Sequence, residues 1–198
     1  MHEHVTDAYV RRAKQDGYRS RSAYKLLEIL ERDKLVRPGM TVVDLGAAPG
    51  GWSQVLAPLT GTKGQVLALD MLEMEPLRGV CTIRGDFSED STLKQIEECL
   101  GDRPIDLVVS DMAPNISGVG LVDQARSVHL AELALEFAQA RLKPGGGLLV
   151  KVFQGSGSDE FRKALSAAFG SVAVRKPKAS RDRSSEIYLL ARGKRQGG

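Results

Sequence analysis

This chain of 198 residues is short of the residues that build metal centres and disulfide frameworks. It has two cysteines and three histidines. Cys81 and Cys99 share no metal-ligand spacing and make no obvious pair, so buried free thiols in a reducing compartment are expected. His2, His4 and His129 are scattered, and no metal site follows from them. No apolar run approaches the length of a membrane span, so no transmembrane helix is expected. The N-terminus is polar and lacks the apolar core of a signal peptide, which points to a cytoplasmic protein. There is no internal repeat and no low-complexity linker. With 42% hydrophobic and 27% charged residues, the chain reads as one globular domain over 1–198.

One further absence concerns the most informative stretch, Val42-Val43-Asp44-Leu45-Gly46-Ala47-Ala48-Pro49-Gly50-Gly51-Trp52-Ser53. An apolar run, an acid, a glycine-rich turn and a new element read as strand, tight loop and helix. Glycine lets such a loop turn sharply and approach a ligand closely. The N–H groups at the start of the following helix suit a carboxylate or another anion. Yet Gly46 to Gly51 is not G-x-G-x-x-G, because no glycine stands at the third position. A nicotinamide or flavin enzyme is therefore disfavoured.

Net charge is only +3, but it is unevenly spread. Arg11, Arg12, Lys14, Arg19, Arg21 and Lys25 crowd the N-terminal segment, and Arg175, Lys176, Lys178, Arg181 and Arg183 crowd a stretch near the C-terminus. If the fold joins them they form a face that attracts a polyanion. Tyr9 and Tyr18 lie among the arginines of residues 1–21, a mix suited to phosphate contacts and base stacking.

Periodicity and turn signals give the remaining elements. Ser22 is placed to cap a helix over 23–32 that carries Lys25. Strands are expected over 41–45, 65–70, 80–84, 105–110, 147–153, 171–175 and 186–191. Helices are expected over 52–59, 93–100, 123–142 and 158–169. Alternating strands and helices imply an α/β fold, a mostly parallel seven-stranded sheet with helices on both faces. The last two strands have no helix between them, so the last strand is expected to be antiparallel. Asp44, Asp70, Asp86, Asp111, Lys151 and Glu186 then gather at one rim. Asp70 falls about twenty residues after the glycine loop, where such units place a carboxylate for ribose hydroxyls. Lys151 sits in an apolar strand and needs a partner; Asp111 and Glu186 are the nearest candidates.

Four blocks carry a family resemblance: Asp44 to Ser53, Ser110-Asp111-Met112-Ala113-Pro114-Asn115, Val150-Lys151-Val152-Phe153-Gln154-Gly155, and Ser180-Arg181 with Ser184-Ser185-Glu186. In order and spacing they resemble the FtsJ (RrmJ) family of ribosomal RNA ribose 2′-O-methyltransferases, over about Val5 to Ala191. The resemblance implies a Rossmann-like fold dependent on S-adenosyl-L-methionine. It also implies a catalytic tetrad at Lys25, Asp111, Lys151 and Glu186, and cofactor-binding positions at Gly50, Trp52, Asp70, Asp86 and Asp111. In the bacterial branch the substrate is a uridine ribose of 23S rRNA, in the aminoacyl-tRNA-contacting loop of the 50S particle. Bacterial relatives usually carry a longer basic, serine-rich leader before the position of Val5, where four residues stand here.

On this reading a base takes the proton of the 2′-hydroxyl as it attacks the methyl carbon, and Lys151 is the candidate. A monomer is expected, with large-subunit rRNA as partner and no membrane. Two alternatives stay open: the same chemistry on tRNA or mRNA caps, and a non-catalytic RNA-binding assembly factor. Methylation of a base amino group is disfavoured, because Asp111-Met112-Ala113-Pro114 lacks an aromatic ring.

Overall fold

A computed structural model describes residues 3–181 and 184–196, with side chains from residue 8 onward. Arg183 and His2 lie outside the described residues, as does the side chain of His4. The seven strands are β1 (Thr41–Leu45), β2 (Gln65–Asp70), β3 (Val80–Arg84), β4 (Ile105–Ser110), β5 (Leu142–Phe153), β6 (Phe169–Arg175) and β7 (Glu186–Lys194). The helices are α1 (Glu3–Gln15), α2 (Ala23–Asp33), α3 (Gly51–Thr60), α4 (Asp90–Leu100), α5 (Gly120–Arg141) and α6 (Ser158–Ala168). They form one sheet in the order β3-β2-β1-β4-β5-β7-β6. β7 runs antiparallel to both its neighbours, and the other pairings are parallel. The expected α/β topology is therefore present. The strand order reverses between β1 and β4, where open sheets of this kind open a ligand crevice at their carboxyl ends.

Each central strand divides its side chains between two cores. Val43, Leu45, Val108, Leu148, Val150 and Leu189 pack with α4, α5 and α6. Val42, Leu107, Val109, Leu149, Tyr188 and Leu190 pack with Leu26 and Ile29 of α2 and Trp52 and Leu56 of α3. Runs buried on both faces are what a covered parallel sheet requires.

The structure departs from expectation in four places. Residues 3–15 are helical although their periodicity is weak. Ala13, packed with Tyr24 and Ala179, ties that helix to the body. Ser22 makes no capping bond; its hydroxyl meets that of Ser20 at 2.6 Å. The stretch 143–146, left between the expected helix and strand, lies within β5, as a register break between the pairs Ile105–Leu142 and Leu107–Gly147. Cys81 and Cys99 are not free thiols. α4 lies along β3, and their sulfurs stand at bonding distance, 2.06 Å. That pairing depends on helix placement and has no signature in spacing.

Candidate active site

Strand alternation decides which side chains meet. Lys151 shares the parity of Leu149, and Glu186 that of Tyr188 and Leu190, so both point to the α2/α3 face. Lys151 and Tyr188 are register partners across the β5–β7 pair. Asp111 follows β4 on the neighbouring strand, and α2 brings Lys25 from above. The four residues converge. Lys25 Nζ lies 2.7 Å from Glu186 Oε1. Lys151 Nζ lies 3.0 Å from Asp111 Oδ1 and 3.7 Å from Glu186 Oε2. It also donates to the Asp111 carbonyl at 2.7 Å.

In this mutually satisfied network Lys151 and Glu186 are buried, and Lys25 and Asp111 half-buried. Lys151 is 5% exposed and Glu186 7%. Burial pushes the Glu186 carboxyl up, but Lys25, Lys151 and the Ser180 hydroxyl outweigh it and hold it below its ordinary value. Ser180 Oγ donates to Glu186 Oε1 at 2.8 Å. Tyr188 donates to Asp111 Oδ1 at 2.6 Å. Burial, with the charges of Asp111 and Glu186, pushes the Tyr188 phenol well above its ordinary value, so it stays a donor. Tyr188 lies outside the motif blocks, and Ser180 lies in one without its bond to Glu186 being legible there. The alternation Glu186-x-Tyr188-x-Leu190 was the available signal for the tyrosine.

The glycine loop leads into α3 as expected, with Gly50 at φ 108°. A Cβ at Gly50 would stand 3.0 Å from both Leu77 and Met74. Asp70 ties the loop down: one carboxylate oxygen accepts from Ala48 N at 2.9 Å and the other from Leu72 N at 2.8 Å. Asp86 accepts from the amide and hydroxyl of Ser88, and these bonds hold its carboxyl below the ordinary range. Trp52 differs from a side-chain ligand contact. Its indole is buried against Tyr188, centroids 5.7 Å apart, and donates to the Ser22 carbonyl. Only its backbone N–H, in the first turn of α3, faces the loop side. Asp44, one residue from the carboxyl end of β1, lies near Asp70 and Asp111 as expected but is buried, and Ser53 Oγ donates to it at 2.7 Å.

Comparison with known proteins then decides the family. The family model described as FtsJ-like methyltransferase matches residues 18–194. The chain belongs to the FtsJ-like methyltransferase family. A Nitrosospira multiformis protein named ribosomal RNA large subunit methyltransferase E is 63% identical over 195 residues, covering 98% of this chain and 95% of that protein. A Neisseria meningitidis protein of the same name is 60% identical with the same coverage. Among solved structures, a Plasmodium falciparum protein described as a ribosomal RNA methyltransferase superposes with a TM-score of 0.81 at 30% identity. That match covers 89% of this chain and 98% of the other.

In this FtsJ-like methyltransferase the two basic segments do meet, around α2. Arg21 donates to the Ala179 carbonyl at 2.6 Å, and Glu28 accepts from the amides of Lys178 and Ala179. Several of the expected phosphate-binding cations, however, are committed inside the molecule. Arg175 makes a bidentate pair with Asp33, 2.6 Å on each arm. Lys176 donates to the carbonyls of Ser184 and Glu186. Arg19 donates to the carbonyls of Pro49, Glu75 and Pro76, and so pins the glycine loop to the segment after β2. Tyr9 and Tyr18 pack on Tyr24, centroids 5.5 and 5.6 Å away, rather than standing free as stacking platforms. Lys14, Lys178 and Arg181 are exposed. Among the described residues no helix is long and apolar enough to cross a membrane.

Proposed function

We propose that this protein transfers a methyl group from S-adenosyl-L-methionine to the 2′-hydroxyl of a uridine in 23S rRNA, on the 50S particle, as a monomer in the cytoplasm. The observation that carries the reading is the meeting of Lys25, Asp111, Lys151 and Glu186 at the rim beside the glycine loop. The names of the relatives support rRNA of the large subunit as substrate. The uridine rests on the motif blocks alone.

The residues present suit the methyl donor. The first N–H groups of α3 match its carboxylate, Asp111 its positive charge, and Asp70 and Asp86 the hydroxyl and amino donors of a nucleoside. Gly50, at φ 108° and with Leu77 and Met74 close by, lets the loop make a turn that a residue with a side chain could not. The donor supplies an electrophilic methyl on a sulfonium. The protein supplies position and a proton acceptor. Lys151 Nζ is the candidate general base for the 2′-hydroxyl. Asp111 and Glu186 fix its amine from two sides, and Lys25 shares the charge of Glu186. Tyr188 fixes Asp111 in turn. Aligning oxygen and methyl is expected to supply most of the rate. The exposed cations of the two basic segments, Lys14, Lys178 and Arg181 among them, hold RNA phosphates, a grip that carries little sequence information.

The test is to incubate the protein with labelled S-adenosylmethionine and either large subunits from cells lacking this enzyme or bare tRNA. Label is expected on the subunits. Label on tRNA instead moves the substrate to the transfer-RNA branch, and cofactor binding without transfer to either reduces the protein to an RNA-binding factor.

A further inference from the structure

We infer that the uncharged loop between β4 and α5, with the groove behind it, is a second RNA site that takes unpaired nucleotides flanking the target ribose. This rests on the 2′-O-methylation reading and deepens it. From Met112 to Val122 no side chain is charged, in a protein where 27% are. Within that run Ile116, Val119, Leu121 and Val122 are 67%, 56%, 72% and 40% exposed. Single exposed aliphatics are ordinary, but four in seven residues make a patch.

The patch sits on a fixed frame. Buried Asp123, in the first turn of α5, accepts from Ser117 N, Ser117 Oγ and Gly118 N at 2.8, 2.7 and 3.2 Å. These bonds hold its carboxyl below the ordinary range. Behind the loop lies a groove of about 610 Å³ lined by Pro114, Asn115, Ala125, Arg126, His129 and Leu130. Apolar walls with an amide, an imidazole and a guanidinium suit a nucleobase carrying its phosphate.

Position identifies the occupant as RNA. The loop departs from Asp111, and Ile116, five residues on, can lie no more than about 18 Å away. Lys151 is 5% exposed, so a ribose within a stacked helix cannot reach it. The target nucleotide must leave its stack, and its neighbours lose a stacking partner. Apolar side chains at the rim replace that partner, as wedges do in other nucleic-acid complexes. The division of labour is also spatial. The basic segments gather around α2 on one face of the sheet, whereas this loop leads to α5 on the other. Phosphate contacts position on one side, and base contacts act on the other.

The experiment uses the Ile116→Ser/Leu121→Ser double variant, whose changes lie in solvent. Substrate is the large subunit from cells lacking this enzyme. Readouts are kcat/KM for labelled methyl transfer, affinity for S-adenosylmethionine, and dimethyl sulfate reactivity of bases flanking the modified ribose with S-adenosylhomocysteine present. The wild type is expected to raise that reactivity. The double variant is expected to lose it, to lower kcat/KM at least about tenfold through lost burial of two aliphatic side chains, and to keep its cofactor affinity. Undiminished kcat/KM in the double variant, with the wild type active, overturns this inference alone. Reduced kcat/KM with flanking bases equally unreactive for both proteins also overturns it and assigns the patch to a ribosomal protein. A wild type that methylates no subunit overturns the proposed function itself.

Discussion

Asp44 shows how one buried acid sets a pH dependence unrelated to catalysis. Burial pushes its carboxyl up to about 7, with Asp111 and Asp70 adding to the rise and the Ser53 hydrogen bond opposing it. The unfolded chain titrates this group near pH ~3.9. Between those values the native state binds the extra proton, so stability present below about pH 4 is lost as pH rises through about 7. Asp44→Asn cannot ionise. Between pH 5 and pH 8 its urea midpoint should fall less than that of the wild type; parallel curves would remove Asp44 as the cause. The residue scale is also where sequence reasoning was least complete. Asp111, Lys151 and Glu186 were legible because they stand in motif blocks, whereas Lys25, outside every block, was reached only through the family resemblance. Arg19, Arg175 and Lys176 read as surface cations because nothing in a sequence shows carbonyls or Asp33 waiting for them. The Trp52 ring fills the core between α2 and β7, which its place in the glycine-loop block does not reveal.

At the scale of elements, the glycine loop and α3 form a unit held from both sides. Asp70 binds it from β2, and Arg19 from the α1–α2 connection. Gly50 is the position where a side chain would intrude, because its φ of 108° is strained for other residues and Leu77 and Met74 stand close. Gly50→Val is expected to weaken cofactor binding at least about tenfold and to cost about 1–3 kcal/mol of stability. Calorimetric titration with S-adenosylmethionine reads the first, and an unchanged isotherm would place the cofactor elsewhere. Strands β1, β2, β3 and β4 match the sequence expectation residue for residue, since each is an apolar run bounded by glycine, proline or an acid. α1 escaped notice because its contacts are tertiary: Ala13 meets Tyr24 and Ala179 from distant parts of the chain. The Cys81–Cys99 contact escaped for the same reason, as it exists only once α4 lies on β3.

For the molecule as a whole, the joined basic segments should govern affinity for RNA without governing chemistry. Changing exposed Lys14, Lys178 and Arg181 together to Gln should lower the slope of log K against log salt by about 2, if each holds one phosphate. Binding to large subunits across a salt series measures this, and an unchanged slope would show that the RNA lies on another face. Parity of β5 and β7, with the approach of α2, then turns a distant set of charges into one rim site. The decisive variant is Lys151→Ala, assayed for methyl transfer to large subunits and, separately, for binding of S-adenosylmethionine. The variant should lose about 10²–10⁴-fold in transfer rate while binding the cofactor as the wild type does. Transfer at the wild-type rate would contradict the account.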